Sequence, residues 1–333
     1  MANAHLLITG ATGFIGGRLA AHYLDHGYKV RIAGRNPGNA RHLIDRGADF
    51  SAGDLTDPAY AEALVEGADT VIHCAGKAGT WGPYAEFFDA NVKATDYLLQ
   101  ASQAAGVTRF INLSSPSIYF DFRDQFDLTE SVLPARFSNA YAQTKFEAEA
   151  LVSKAHRPAF ATVSLRPRLV IGAGDTHVLP RLIAMGKAGM LTRFGKKDHL
   201  VSVTSIENLI HAVDLCLKAQ EDALGGVYNI ANPEPVKFWE MVARVLKATG
   251  VDAKPRSVPR APVMLAARCN ELICKFLHRK SEPRLLPVPV GVLSYSMTLS
   301  ISKAQQELGY DPPATLDEAI TGFSHWWLAA RSE

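Results

Sequence analysis

Cysteine is scarce in this chain of 333 residues. The sequence has four cysteines at scattered positions, and no two of them form a C-x-x-C pair. A disulfide-stabilised secreted domain needs several cysteines at close spacings, and a structural zinc site needs paired cysteines or histidines. The sequence therefore predicts neither a disulfide framework nor a metal site.

Net charge and long apolar runs are also lacking. Lysine and arginine number 35 against 33 aspartates and glutamates, which gives no electrostatic reason to expect nucleic-acid binding. No run approaches the roughly 20 apolar residues that span a bilayer, and the apolar run at residues 6–8 is too short for a secretory signal. We therefore expect a soluble, cytoplasmic protein without a transmembrane segment.

The sequence does contain a regular alternation of short apolar runs and segments with helical apolar spacing. Hydrophobic residues make up 47% of the chain, enough for a substantial core. The predicted strands are 5–8, 29–33, 48–52, 70–73, 109–113 and 161–166, and the predicted helices are 14–26, 36–46, 58–66, 90–105 and 139–154. This alternation predicts an α/β fold, a doubly wound parallel sheet with helices on both faces.

A loop with the pattern G-x-x-G-x-x-G, residues 10–16, connects the first predicted strand to the first predicted helix. Gly10 permits a tight turn, Gly13 lets a pyrophosphate approach the backbone, and Gly16 lets the helix pack on the strand. The helix N terminus directs free N–H groups at the phosphates. The loop therefore predicts a dinucleotide site of the Rossmann type. The expected contacts here are Gly10, Thr12, Gly13, Phe14, Ile15 and Gly16.

The end of the second predicted strand carries Arg35 and no acidic residue. An NAD site usually has an acid here to bind the ribose hydroxyls. A guanidinium can instead pair with a 2′-phosphate, although Arg35 could also be a solvated loop residue. We expect NADP(H), with NAD(H) as the alternative. After the third strand, Asp54 and Leu55 are expected at the adenine, unless Asp54 caps the next helix.

Tyr141 and Lys145 are four residues apart in a predicted helix, so their side chains share one face. An ammonium near the phenol lowers its pKa and can hold a cofactor ribose, and the phenol can then exchange a proton at a carbonyl. Ser114 and Ser115 end a predicted strand upstream, where a hydroxyl could polarise the same oxygen. The spacing predicts a serine, tyrosine and lysine catalytic set.

With these motifs, the chain resembles the extended short-chain dehydrogenases/reductases over most of its length. The resemblance implies a Rossmann fold, with Tyr141 as the acid/base, Lys145 on the ribose and Ser115 polarising the substrate; Ser114 is the alternative serine. Asn91 is implied to stabilise its helix near the site. The further cofactor contacts that it implies are Ala75, Gly76, Lys77, Tyr141, Lys145 and Pro167.

Two segments, 75–84 and 165–181, are similar to the 3β-hydroxysteroid dehydrogenase branch of this family, and within it to bacterial reductases of β-keto acids. The resemblance implies an apolar carbonyl or alcohol substrate, either a 3-oxo acid or a 3β-hydroxysteroid-like compound. The candidates for substrate contacts are Ser114, Trp81, Tyr119 and His177. The family also implies a homodimer.

Proline, glycine and basic residues become frequent after residue 166, which indicates a smaller, irregular second lobe. We place the NAD(P)-binding domain at 1–168, with 200–232 returning to it. We place the substrate-binding lobe at 169–199 and 233–333. No Gly/Ser-rich linker separates the two parts, so we expect them to pack closely.

Residues 262–277 have apolar residues at helical spacing, followed by basic residues up to Arg284. One interpretation is an amphipathic helix that covers a lipid-like substrate or makes a peripheral membrane contact. The other is a helix whose apolar side faces the core of the second lobe, and this is the interpretation that we favour.

The leading hypothesis is an NADP(H)-dependent oxidoreductase that interconverts a carbonyl and a secondary alcohol. The first alternative is a sugar-nucleotide epimerase or dehydratase that retains NAD, for which Arg181, Arg193 and Lys196 could bind a pyrophosphate. The second is a cofactor-sensing protein without catalysis. A sensor has no need for an acid/base group, so the complete catalytic set argues against it.

Overall fold

Seven parallel strands form the main sheet of this computed structural model, which describes residues 4–220, 223–279 and 281–330. The remaining strands form smaller sheets. In chain order, the strands of all the sheets in the described residues are β1 (His5–Thr9), β2 (Lys29–Gly34), β3 (Asp49–Ala52), β4 (Thr70–His73), β5 (Arg109–Leu113), β6 (Gln125–Leu128), β7 (Ala161–Pro167), β8 (Val170–Ile171), β9 (Thr192–Phe194), β10 (Leu200–Val201), β11 (Thr204–Ser205), β12 (Val227–Ile230), β13 (Val236–Lys237), β14 (Arg256–Val258) and β15 (Met297–Leu299).

Some of the helices cover the two faces of the main sheet, and the others pack outside it. The helices are α1 (Phe14–Asp25), α2 (Arg41–Ile44), α3 (Pro58–Leu64), α4 (Tyr84–Phe88), α5 (Ala94–Ala104), α6 (Ala140–Ala155), α7 (Val178–Lys187), α8 (Ile206–Lys218), α9 (Phe238–Ala248), α10 (Arg260–Phe276), α11 (Pro287–Val292), α12 (Ser302–Leu308) and α13 (Leu316–Ala329).

The strand order of the main sheet is β12-β7-β5-β4-β1-β2-β3, and every neighbouring pair is parallel. The predicted Rossmann-type, doubly wound fold is confirmed. The order reverses between β1 and β4, and in such sheets the crevice beyond the carboxyl ends of these strands is where ligands bind. β4 and β7 are buried along their whole length, because helices cover both faces.

Two predicted helices differ locally from the structure. Residues 36–46 form a 3₁₀ turn (Pro37–Ala40) followed by α2, because Pro37 starts the turn and the Asn36 side chain accepts a hydrogen bond from the Gly38 N–H at 2.9 Å. The helix predicted at 90–105 begins with one turn of π-helix, Asp89–Lys93, which continues into α5. Single π turns often mark functional positions.

Three large hydrophobic cores are present. One lies between the sheet and the helices α1 and α8, and another lies on the opposite face of the sheet, against α3, α5 and α6. The third lies between α7, α9 and α13, where Phe238, Trp239 and Phe323 pack together. β12 pairs with β7, so the chain returns to the main sheet after α8.

The helix predicted at 262–277 is present as α10, but the interpretation that its apolar side faces the core is wrong. Only Met264, Ala267 and Cys274 are buried along it. The leucine, isoleucine and phenylalanine side chains near its end are exposed. Lys280, in the basic stretch that follows, lies outside the described residues. None of the helices described is long and apolar enough to span a membrane.

Candidate active site

The glycine loop places bare backbone at the carboxyl end of β1. Gly10 has a φ of +68°, and a Cβ there would lie 2.7 Å from the backbone nitrogen of Ala75. A Cβ on Gly16 would lie 2.5 Å from the Gly10 carbonyl oxygen. Both contacts exclude any side chain, so these two glycines are required for the close approach of α1, β1 and the β4 loop.

The N terminus of α1 is open to an anionic ligand. Gly13 is its N-cap residue and supplies no side-chain cap to the first N–H groups. A cleft of about 610 Å³ starts at this loop and runs along the side of α1 past Arg18 and His22, so it does not reach Tyr141. Uncapped N–H groups at a helix N terminus suit a phosphate, so the residues present fit a dinucleotide.

Arg35 lies exposed just beyond β2, and its guanidinium makes no hydrogen bond or ion pair with any residue that the structure describes. The Asp54 carboxylate accepts hydrogen bonds from the Thr56 N–H at 3.0 Å and hydroxyl at 2.8 Å. These bonds and, to a smaller extent, Arg35 lower the pKa of Asp54. The cap of α3 is Asp57 rather than Asp54, and Leu55 packs against the core.

Asn91, in the π turn, ties the loop after β4 to α6. Its Oδ1 accepts a hydrogen bond from the Lys77 N–H at 2.6 Å, and its Nδ2 donates to the Lys77 carbonyl and to Thr144 Oγ1, both at 3.0 Å. A Cβ on Gly76 would lie 2.9 Å from Asn91 Oδ1. The backbone of Gly76 and Lys77 is therefore held at a fixed distance from the helix that carries Tyr141.

Tyr141 lies in the first turn of α6. The Asn139 side chain fixes this turn by accepting a hydrogen bond from the Ala142 N–H at 2.9 Å. The Tyr141 side chain is half-buried. Burial raises the pKa of the Tyr141 phenol, and a side-chain hydrogen bond with Ser115 acts in the opposite direction. The structure thus brings the predicted tyrosine and serine into direct contact.

Lys145 is buried one turn further along α6, and its Nζ donates to the Leu113 carbonyl at the end of β5 at 2.6 Å. Burial lowers the pKa of Lys145 to about 8, although Glu149 and Cys74 act to raise it. We expected Lys145 to lower the pKa of Tyr141. The structure instead shows the pKa of Tyr141 raised, because desolvation of the phenol is the largest effect.

The two serines after β5 have different environments. Ser115 is partly exposed and is the N-cap of the 3₁₀ turn Pro116–Tyr119, where its Oγ accepts a hydrogen bond from the Ser117 N–H at 3.2 Å. Ser114 is buried, and its Oγ has no hydrogen-bond partner among the described residues. Ser115 is the serine placed at Tyr141.

A cavity of about 950 Å³ opens beside Tyr141. Lys77 and Trp81, from the loop after β4, form one wall, and Cys274 and Lys275 of α10 with His278 form another. The Trp81 Nε1–H donates to the Arg279 carbonyl at 3.0 Å, which joins the two walls. Trp81 therefore lines the same cavity as Tyr141, and its contact with a substrate stays a prediction.

Two other candidates for substrate contact lie elsewhere. Tyr119 is fully buried, and its hydroxyl donates to Asn229 Oδ1 at 2.8 Å and accepts from Arg166, so it is a core residue and that prediction is corrected. His177 is exposed at the N terminus of α7 and is absent from the lining of both cavities. Asp175 shapes this loop by accepting three backbone N–H bonds.

A buried ion pair was missed by the sequence analysis. Arg166, in β7, donates to both carboxylate oxygens of Glu149 on α6, with the Nε–H bond at 2.8 Å, and neither side chain is more than 4% exposed. Burial alone would lower the pKa of Arg166, but the bonds to Glu149 raise it. The available signal was the spacing, because Glu149 lies four residues after Lys145. Pro167 follows at the buried end of β7.

Comparison with known families gives a match over about two thirds of the chain. The family described as "NAD dependent epimerase/dehydratase family" matches residues 6–231, which include the glycine loop, Ser115, Tyr141 and Lys145. The chain belongs to the NAD-dependent epimerase/dehydratase family. It is an NAD(P)-dependent enzyme and an oxidoreductase of that family.

Relatives in this family extend over nearly the whole chain. An uncharacterized protein of Escherichia coli K12, YbjS, is 35% identical over 96% of this chain and 97% of its own. The 2-alkyl-3-oxoalkanoate reductase of Shewanella oneidensis is 31% identical over 95% and 84%. The 3beta-hydroxysteroid-dehydrogenase/decarboxylase isoform 2 of Arabidopsis thaliana is 30% identical over 98% of this chain and 63% of its own. The resemblance to the 3β-hydroxysteroid dehydrogenase branch is thereby confirmed.

The fold is shared with solved members of the family. The structure of a UDP-glucuronic acid 4-epimerase from Bacillus cereus in complex with NAD superimposes with a TM-score of 0.76, over 97% of this chain and 96% of that chain. At 23% identity, this likeness concerns the fold alone.

Proposed function

We propose that this family member is an NADP(H)-dependent reductase that converts an apolar 3-oxo acid to the 3-hydroxy acid. The observation that carries the proposal is that Ser115 hydrogen-bonds to Tyr141, whose side chain lines the large cavity. A phenol and a hydroxyl that meet at one point can both hydrogen-bond to a single substrate oxygen.

Each residue has a defined task in this reaction. When bound, the nicotinamide cofactor supplies the hydride that reduces the carbonyl carbon. Ser115 donates a hydrogen bond to the carbonyl oxygen, and Tyr141 gives that oxygen its proton. Lys145, whose ammonium is already oriented toward the end of β5, holds the ribose hydroxyls and carries positive charge near the tyrosine. Ketone, NADPH and one proton thus give alcohol and NADP⁺.

The raised pKa of Tyr141 favours the reductive direction. A phenol whose pKa is raised by burial stays protonated at neutral pH, so it is ready to donate a proton. The oxidative direction needs the phenolate, which burial disfavours.

Arg168 supports a substrate that carries a carboxylate. It follows β7 directly, so its backbone lies at the same edge of the sheet as Ser115. Its guanidinium has no hydrogen bond or ion pair with any side chain that the structure describes, and its Nε is buried. Burial lowers the pKa of Arg168 to about 10. Arg168 is half-buried. Its buried Nε without a hydrogen-bond partner is costly, and a substrate carboxylate would offset that cost. The name of the Shewanella relative agrees with this substrate class.

The test is NADPH oxidation by the purified protein against 3-oxo acids, 3-ketosteroids and nucleotide sugars. We expect the 3-oxo acids to have the highest kcat/KM. Tyr141→Phe should lower kcat by about 10²-fold or more while it leaves NADPH binding intact, because only the proton donor is removed. Tyr97→Phe on α5 is the matched control. Undiminished turnover by Tyr141→Phe would refute the assignment.

A sugar-nucleotide epimerase is the second candidate. Arg193 in β9 has a buried Nε without a hydrogen-bond partner among the described residues, and such a guanidinium could bind a pyrophosphate. An epimerase of this kind keeps its cofactor bound, so NAD that stays with the protein through purification, together with epimerisation of a nucleotide sugar, would favour this candidate.

A further inference from the structure

α10 presents an apolar face that no described part of the chain covers. Leu265, Leu272, Ile273 and Phe276, with Leu277 directly after the helix, are between 56% and 83% exposed, and Phe276 is the most exposed. Their spacing places them on one side of the helix. A monomeric protein rarely exposes so many large apolar side chains together, so the face has a ligand or partner.

The opposite side of α10 is fixed to the protein. Met264 and Ala267 are buried and pack with Val290 of α11. The Asn270 side chain donates to the Leu285 carbonyl at 2.8 Å. The helix is therefore a fixed part of the fold, and its exposed face is preformed.

The charge of the residues next to this face indicates what kind of partner covers it. Residues 260–284 contain six lysines and arginines against two glutamates, in a chain whose net charge is only +2. Arg268 and Lys275 are exposed and seven residues apart, so they lie together along one border of the apolar face, where Lys275 also pairs with Glu271 at 2.8 Å. An apolar stripe with a basic border is typical of helices that lie in the headgroup region of anionic bilayers. If two copies of the chain instead packed together symmetrically through this face, their basic borders would lie side by side, at an electrostatic cost.

The position of α10 connects this face to the active site. Cys274, Lys275 and His278 line the cavity that also contains Tyr141. The Thr80 hydroxyl donates to Glu282, and Trp81 donates to the Arg279 carbonyl, so the loop after β4 is joined to the end of α10. The α10 residues that line the cavity and those of the apolar face thus lie on different sides of one helix.

We propose that the apolar face of α10 docks on an anionic lipid bilayer, with the active-site cavity on the other side of the same helix. Docking depends on α10 alone and stands apart from the proposed reductase activity.

The test is flotation of the full chain with vesicles of phosphatidylcholine, with or without about 30% phosphatidylglycerol. We expect binding to the anionic vesicles, weak binding to the neutral ones, and loss of binding in about 0.5 M salt. Phe276→Glu should lower the bound fraction about tenfold or more, because it places a charge in the apolar face. Phe126→Glu is the matched control, since Phe126 is an exposed phenylalanine (55%) in β6.

Arg268→Gln tests the basic border and should weaken binding to anionic vesicles only, whereas Arg256→Gln in β14 should not. Absence of binding to anionic vesicles at low salt would overturn the proposal. The proposal would also be overturned if the protein bound no vesicles and formed a dimer in solution that Phe276→Glu dissociates. Turnover of a short, water-soluble 3-oxo acid should be unchanged in Phe276→Glu, so failure of docking and failure of the proposed reductase activity give different results.

Discussion

Arg35 is the residue on which we base the proposed preference for NADP(H). It lies at the end of β2, where an acid would select NAD, and it is exposed without a hydrogen-bond or ion-pair partner in the described chain. A guanidinium held close to Asp54 without a direct bond remains free to bind a 2′-phosphate.

Arg35→Ala should raise the KM for NADPH about tenfold or more, because a charge-assisted hydrogen bond to phosphate is lost. The KM for NADH should change little. Steady-state kinetics with both cofactors measure this, with Arg41→Ala as control, since Arg41 pairs with Asp45 on the nearby α2. An equal loss with both cofactors would contradict the role assigned to Arg35.

At the scale of elements, α6 and β7 act as one unit. α6 carries Tyr141 and Lys145, and the pair of Glu149 with Arg166 joins this helix to β7 in the interior of the protein. Arg166 also donates to the Tyr119 hydroxyl, so the 3₁₀ turn that begins at Ser115 is held by the same guanidinium. The buried pair therefore positions the catalytic elements relative to one another.

Glu149→Gln should destabilise the fold by about 3 kcal/mol, because it leaves Arg166 charged and buried without its partner. Glu147→Gln, on the same helix but partly exposed, should change the free energy of unfolding by less than about 0.5 kcal/mol. Urea denaturation followed by circular dichroism measures both. Similar, small effects of the two substitutions would show that the ion pair is not important for stability.

At the scale of the whole molecule, stability should decrease in acid because two histidines are buried as neutral groups. His73 lies between the hydroxyls of Thr9 and Thr95, at 2.8 and 3.0 Å, and burial lowers its pKa to about 3. His199 stacks on Phe238, and burial lowers its pKa to about 4. Below the ordinary histidine pKa, near 6.5, the unfolded chain binds protons that the folded chain does not, so the free energy of unfolding falls as the pH falls.

For His73 alone, this loss between pH 7 and pH 5 is about 2 kcal/mol. His73→Gln should therefore show a smaller decrease in stability over that range, measured by urea denaturation at both pH values. His42→Gln, an exposed histidine on α2, is the control. If His73→Gln and the unmodified protein lose the same stability, His73 is not the source of the acid sensitivity.

Much of the site could be predicted because its residues are local in sequence. The glycine loop has a fixed spacing of three residues, and Tyr141 and Lys145 have a fixed spacing of four. The family resemblance implied that a serine at the end of β5 would meet Tyr141, with Ser115 ahead of Ser114. By contrast, the Arg166–Glu149 pair and the burial of Tyr119 depend on packing between distant elements, which no local pattern reveals.

The Rossmann-type sheet, the nucleotide loop and the family follow from local sequence patterns, because these depend on hydrophobic period, glycine positions and short spacings. Packing in three dimensions was needed to show which serine meets Tyr141, that the pKa of this half-buried tyrosine is raised, and which side of α10 faces water. Apolar periodicity shows that a helix has two sides, but neighbouring elements decide which of them is covered.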